Sequence, residues 1–81
     1  MTRDEIQSWL LTFFAERFEI VNPGLDDDLR ELHEFDSIDA IDLLSSLEDR
    51  LGMELTQDQK KAAMEVRTLN QIVAYVHALQ R

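Results

Sequence analysis

The chain has 81 residues and a formal net charge of −9. That length suits one small domain, residues 1–81, and that charge argues against nucleic acid and anionic membrane as natural partners. The absence of cysteine excludes disulfides, thiolate metal sites and a cysteine nucleophile, so any working thiol must come from outside the chain. Hydrophobic residues make up 44%, as in a globular fold. No apolar run is long enough to span a bilayer. The early stretch "SWLLTFFAERF" has neither a positive leader nor a small-residue cleavage site. These features predict a soluble cytoplasmic protein with no membrane insertion.

The pattern predicts four helices and no strands. The first runs from about Arg3 to Arg17. Thr2 and Glu5 make a capping box, and Ile6, Trp9, Leu10, Phe13 and Phe14 recur at helical spacing as core positions. Residues 19–35 then form a long connection. Asn22-Pro23-Gly24 marks a turn, because proline presets φ and glycine tolerates positive φ. Val21, Leu25, Leu29 and Leu32 are expected to tack this loop onto the helices. Connections of such length are uncommon in a compact domain and often functional.

The second helix is expected over Ser37–Leu51, ended by Gly52. A short third helix covers Gln57–Met64 with Thr56 as cap. The fourth runs from Leu69 to about Leu79, with a capping box of Thr68 and Gln71. Its Leu69, Ile72, Val73, Val76 and Leu79 form one apolar stripe. The fold class is therefore all-α. It is a small four-helix bundle, three main helices plus a short third one, with a long loop between helices 1 and 2.

The charge is unevenly placed. Residues 26–49 hold ten acids and only Arg30 to oppose them, whereas the remainder is balanced. This is either a solvated surface or a docking face for basic partners. On a wheel of the second helix, Ala40, Leu43, Leu44, Leu47 and Leu51 face the core. Asp42, Ser45, Ser46 and Asp49 lie opposite. Ile38 falls among them and Ile41 sits at the boundary beside Ser45 and Glu48. An apolar pair ringed by carboxylates suits a contact site, with apolar anchors for affinity and an acidic rim for steering.

"EFDSIDAIDLL" places Ser37 between Asp36 and Asp39 where this helix begins. Ser37 is either the N-cap itself or, with Asp36 as cap, a first-turn residue. In both cases its hydroxyl sits at the positive end of a helix, where an esterified phosphate would be favoured by the dipole and by free N–H groups.

"FDSIDAIDLLSSLEDRLGMEL" resembles the signature of acyl carrier proteins, and the likeness extends over nearly the whole order of elements. It implies that Ser37 carries 4′-phosphopantetheine as a covalent cofactor. Asp36, Ile38, Asp39, Ile41, Asp42, Glu48 and Asp49 then match the partner-recognition face. It implies a monomeric carrier, itself no enzyme, that holds acyl groups as thioesters. A phosphopantetheinyl transferase would modify it. Acyltransferases, ketosynthases or acyl-activating enzymes with basic docking patches would then use it, in fatty acid, polyketide or related lipid biosynthesis. An aminoacyl or D-alanyl carrier, or an unmodified acidic adaptor of the same fold, are the alternatives.

The sequence departs from that family in three places. Glu34 stands where a glycine is usual, three residues before the serine, and is followed by the bulky Phe35. Leu55-Thr56 replaces an Ile-Pro-like pair. The stretch "TQDQKKAAMEVRTL" is about one turn longer and brings Lys60, Lys61 and Arg67. These differences suit a specialised rather than a housekeeping carrier. Catalysis by Ser37 itself would need a base such as His33 and an oxyanion-hole motif, which the sequence lacks. The acids at 26–34 lack EF-hand spacing, and neither histidine has a spaced partner for zinc, so no specific metal site is expected.

Overall fold

The computed structural model describes residues 1–80. Five helices follow one another: α1 (Arg3–Phe18), α2 (Leu29–His33), α3 (Ser37–Leu51), α4 (Gln57–Ala63) and α5 (Leu69–Leu79). The all-helical bundle is as the periodicity predicts. The difference is α2, one short helix inside the long first connection.

Local chemistry explains each helix start. Thr2, Thr56 and Thr68 each accept a hydrogen bond from the backbone three residues on, while the side-chain oxygens of Glu5, Gln59 and Gln71 accept one from the cap residue's own amide. These reciprocal bonds satisfy amides that a helix leaves orphaned. Asp28 does the same for α2, accepting from the amides of Arg30 and Glu31. Gly52 ends α3 at φ 67°, a conformation that side chains with a Cβ resist.

The helices close on a single core. Ile6, Leu10 and Phe14 of α1 are fully buried, and Leu69, Ile72 and Val76 of α5 face them at 1% exposure or less. The α1–α5 pair is the most extensive helix contact. Leu43, Leu44 and Leu47 bring α3 onto the same core. Each such burial stabilises by roughly 1.5–3 kcal/mol relative to exposure.

Polar bonds fasten part of the first connection. Leu29 N donates to Arg67 O at 2.7 Å, Asn70 N to Leu25 O at 3.0 Å, and Asn70 Nδ2 to Asp26 Oδ1 at 2.8 Å. Arg30 reaches the carbonyl of Met64 at the end of α4. Of the four apolar residues expected to tack the loop down, Leu29 is buried and Leu25 packs against the core. Val21 and Leu32 are 68% and 62% exposed. Ile20, Pro23 and Phe35 of the same connection are buried as well, so apolar burial and backbone bonding hold it together. The turn also differs in detail: the left-handed residue is Asn22, φ 48°, and not Gly24. Gly24 lets the Asp27 carboxylate lie close, since a Cβ there would fall 2.6 Å from Asp27 Oδ1 and move that side chain. That carboxylate folds back to accept from Gly24 N.

Candidate functional site

The chain approaches Ser37 through two unusual residues. Glu34 ends α2 in the left-handed region, φ 56°. This is the position where the resemblance led one to expect glycine, and the backbone keeps the glycine conformation without the glycine. The amides of Glu34 and Phe35 both donate to Leu29 O. Phe35 is then driven inward to 2% exposure, with ring centres 5.3 Å from Phe14 and 5.5 Å from Phe18. Such aromatic clusters add to area burial. The bulky residue before Asp36 therefore pins the start of α3 to the end of α1.

Asp36 is the N-cap of α3. Its Oδ1 accepts from Asp39 N at 2.9 Å, and Asp39 Oδ2 accepts from Asp36 N at 3.2 Å. The acids on either side of Ser37 thus form one reciprocal capping box. Of the two placements open to Ser37, the structure selects the first helical position. Ser37 is exposed, and its hydroxyl is released from capping duty. The amides of Ser37 and Ile38 are the first of the orphan donors of α3, so a negative group on this hydroxyl would meet them and the positive helix end.

His33 is bonded within the loop that precedes Ser37. Its Nε2 lies 3.2 Å from Asp27 Oδ2, which engages the imidazole within the loop. The Asp27 carboxyl is held below the usual carboxylate range, first by His33 and second by the Gly24 amide.

Beyond the first turn, the exposed side of α3 divides into three rows. Ile38, Ser45 and Asp49 form the outermost row and are all exposed, Ile38 at 76%. Asp42 leans toward α1. Its two carboxylate oxygens accept from Arg17 Nε and Nη2, each at 2.9 Å. Ile41 and Glu48 lean toward α4, where Ile41 remains 57% exposed. Glu48 Oε2 accepts from Leu55 N at 2.9 Å, tying α3 to the residue before the α4 cap. The seven residues of the expected recognition face therefore share one helix but differ in what they can offer. Asp36 and Asp39 are joined in the cap, Asp42 is ion-paired, Glu48 is bonded inward, and Asp49 is the exposed acid with no such bond among the described residues. The three aspartates at 26–28 are engaged as well. Asp26 bonds Asn70, Asp27 bonds His33 and Gly24, and Asp28 caps α2 and lies 3.7 Å from Arg67.

Sequence reasoning missed Arg17 altogether, because its partner is 25 residues away and no local pattern links them. It also missed α2, although Asp28 followed by Glu31 is a helix-start signal.

Between α3 and α4 runs an open groove of about 500 Å³, floored by Ile41, Leu44 and Met64 and edged by Lys60, Lys61 and Asp58. The bundle interior beneath it, between Phe35, Leu47 and Ile72, leaves only about 10 Å³, room for one water at most. Tyr75 borders that space. Its hydroxyl donates to Gln59 O at 2.6 Å, and burial pushes its pKa up.

Comparison with known proteins gives a consistent result. The model of the family described as "phosphopantetheine attachment site" matches residues 8–76. A Lactobacillus johnsonii protein named acyl carrier protein is 32% identical over 82 aligned positions, covering 99% of both chains. A Lactobacillus acidophilus protein of the same name is 26% identical with the same coverage. No solved structure gives a significant match.

Proposed function

The chain belongs to the acyl carrier protein family, whose cofactor is 4′-phosphopantetheine and whose members are carriers rather than enzymes, and from that premise we propose that Ser37 is the attachment residue. The observation that carries this reading is the division of labour at the start of α3. Asp36 and Asp39 complete the helix cap between themselves, which leaves an exposed serine hydroxyl at the positive helix end with nothing structural to do.

In the attachment step a transferase binds coenzyme A and the carrier together. The Ser37 oxygen attacks the phosphorus next to the pantetheine, a phosphodiester forms, the hydroxyl proton passes to a base on the transferase, and the nucleotide half of coenzyme A leaves. The amides of Ser37 and Ile38 and the α3 dipole favour the phosphate so placed. Once bound, the arm supplies a thiol, the group this cysteine-free chain lacks, on which acyl groups ride as thioesters. The single domain acts as a monomer, and the exposed side of α3 presents it to successive enzymes, with Ile38 and Ile41 as apolar contacts. Fatty acid synthesis or a specialised lipid or polyketide assembly is the setting. The extended, lysine-bearing α4 region favours the specialised one.

Intact mass decides the matter. After incubation with coenzyme A and a broad-specificity transferase, wild type should gain one phosphopantetheine. Ser37→Ala should fold normally and gain nothing. A wild type that stays unmodified beside a competent control carrier would point to the unmodified adaptor instead.

A further inference from the structure

The docking side of α3 is less acidic in three dimensions than in sequence. In its second turn, Asp42 is held by both nitrogens of the Arg17 fork. Arg17 is steadied in turn over the Phe13 ring, its guanidinium carbon 5.5 Å from the ring centre. A cation over an aromatic face is attracted by the ring's negative face. On the other flank, the groove beside Ile41 is edged by Lys60 and Lys61. Neither forms an ion pair among the described residues. The groove also holds Glu48 and Asp58, so its rim is balanced rather than acidic. The exposed Ile41 therefore stands between cations on both sides. The acids of the first turn, Asp36 and Asp39, and Asp49 at the far end form no ion pair among the described residues.

Resting on the reading of α3 as the docking helix, we propose that Arg17, Lys60 and Lys61 are specificity determinants. They cancel the negative field at the second turn of α3. The surface then fits a partner that is basic only around Ser37 and neutral or carboxylate-bearing beside Ile41, and it disfavours one that is basic throughout. Like charges brought face to face slow association, and a rim charge acts mainly on the on-rate and its salt dependence.

A broad-specificity transferase with a basic docking patch is the probe. Its kcat/KM for arm transfer is measured on wild type, Arg17→Gln and the double variant Lys60→Gln/Lys61→Gln, from low salt to about 1 M. At low salt each variant should be about two to five times faster than wild type, the range an exposed charge contact commands. The gain should vanish near 1 M, where screening acts over roughly 3 Å. Lys60→Glu/Lys61→Glu should widen the gain. Thermal unfolding of each variant verifies the fold, and a merely structural role would not produce the salt dependence. Wild type that accepts no arm on Ser37 would overturn the docking reading itself. Wild type that accepts it, with variants equal or slower at every salt concentration, would overturn this inference alone.

Discussion

Glutamate at a left-handed position three residues before Ser37 sets up a sharp stability experiment. Glu34 has φ 56°, where a side chain with a Cβ meets the following carbonyl at a cost of roughly 1–2 kcal/mol. Glycine removes that cost but adds freedom to the unfolded chain, which takes back about 0.4–1 kcal/mol. Glu34→Gly should therefore stabilise by about 0.5–1 kcal/mol. For a domain of this size that is a rise in Tm of roughly 2–8 °C. Glu34→Ala is the essential control. It removes the exposed carboxylate and keeps the strain, so it should stay within about 0.5 kcal/mol of wild type. Gly52→Ala should move the other way by about 1 kcal/mol, because φ is 67° there and the new Cβ meets nothing within 4 Å. Urea titration with unchanged slopes would give all three values. If Glu34→Gly were no more stable than Glu34→Ala, the backbone at residue 34 would not be strained and the reasoning would fail.

Phe35→Ala should lose about 3–5 kcal/mol, a large share of the whole stability of such a small domain, and a midpoint shift of under 1 kcal/mol would refute its role as the anchor of α3. Asp36→Ala should lose about 1 kcal/mol and Asp36→Asn clearly less, since asparagine still caps; equal losses in urea would show that the oxygen is not what matters. Asp49→Lys should slow arm transfer severalfold at low salt, on the order of what steering supplies; a kcat/KM equal to wild type at every salt concentration would refute steering by this exposed acid. Acid should unfold the protein in part through Glu5 and Asp27, whose carboxyls are held below their usual range, Glu5 chiefly by the Thr2 amide and Asp27 chiefly by His33. A depressed carboxyl stabilises above its unfolded pKa and loses that contribution as pH falls through the folded one, so the loss should set in below about pH 4. A Glu5→Gln/Asp27→Asn double variant whose Tm falls as steeply as wild type between about pH 5 and pH 3 would count against this.

Much of this protein follows from its sequence. The helix starts at Thr2 with Glu5 and Thr68 with Gln71 are written in local patterns, because a cap and its return bond involve residues only three apart. The core face of α3 is equally legible, since Ala40, Leu43, Leu44 and Leu47 recur at the helical period and are all buried. Ser37 stands out by the same local logic. What the sequence could not determine is which of the ten clustered acids remain free to meet a partner. That depends on groups far along the chain: Arg17 on Asp42, Asn70 on Asp26, Arg67 beside Asp28, the Leu55 amide on Glu48. Charge in sequence is a sum, whereas charge at a surface depends on which opposite groups the fold brings within a few ångströms. Only the tertiary structure decided that Ile41 lies between Arg17-paired Asp42 and the lysines of α4. Only it decided that a glutamate could hold the backbone shape usually left to glycine, because the bonds of residues 34 and 35 to Leu29 and the burial of Phe35 fix the chain on both sides of it.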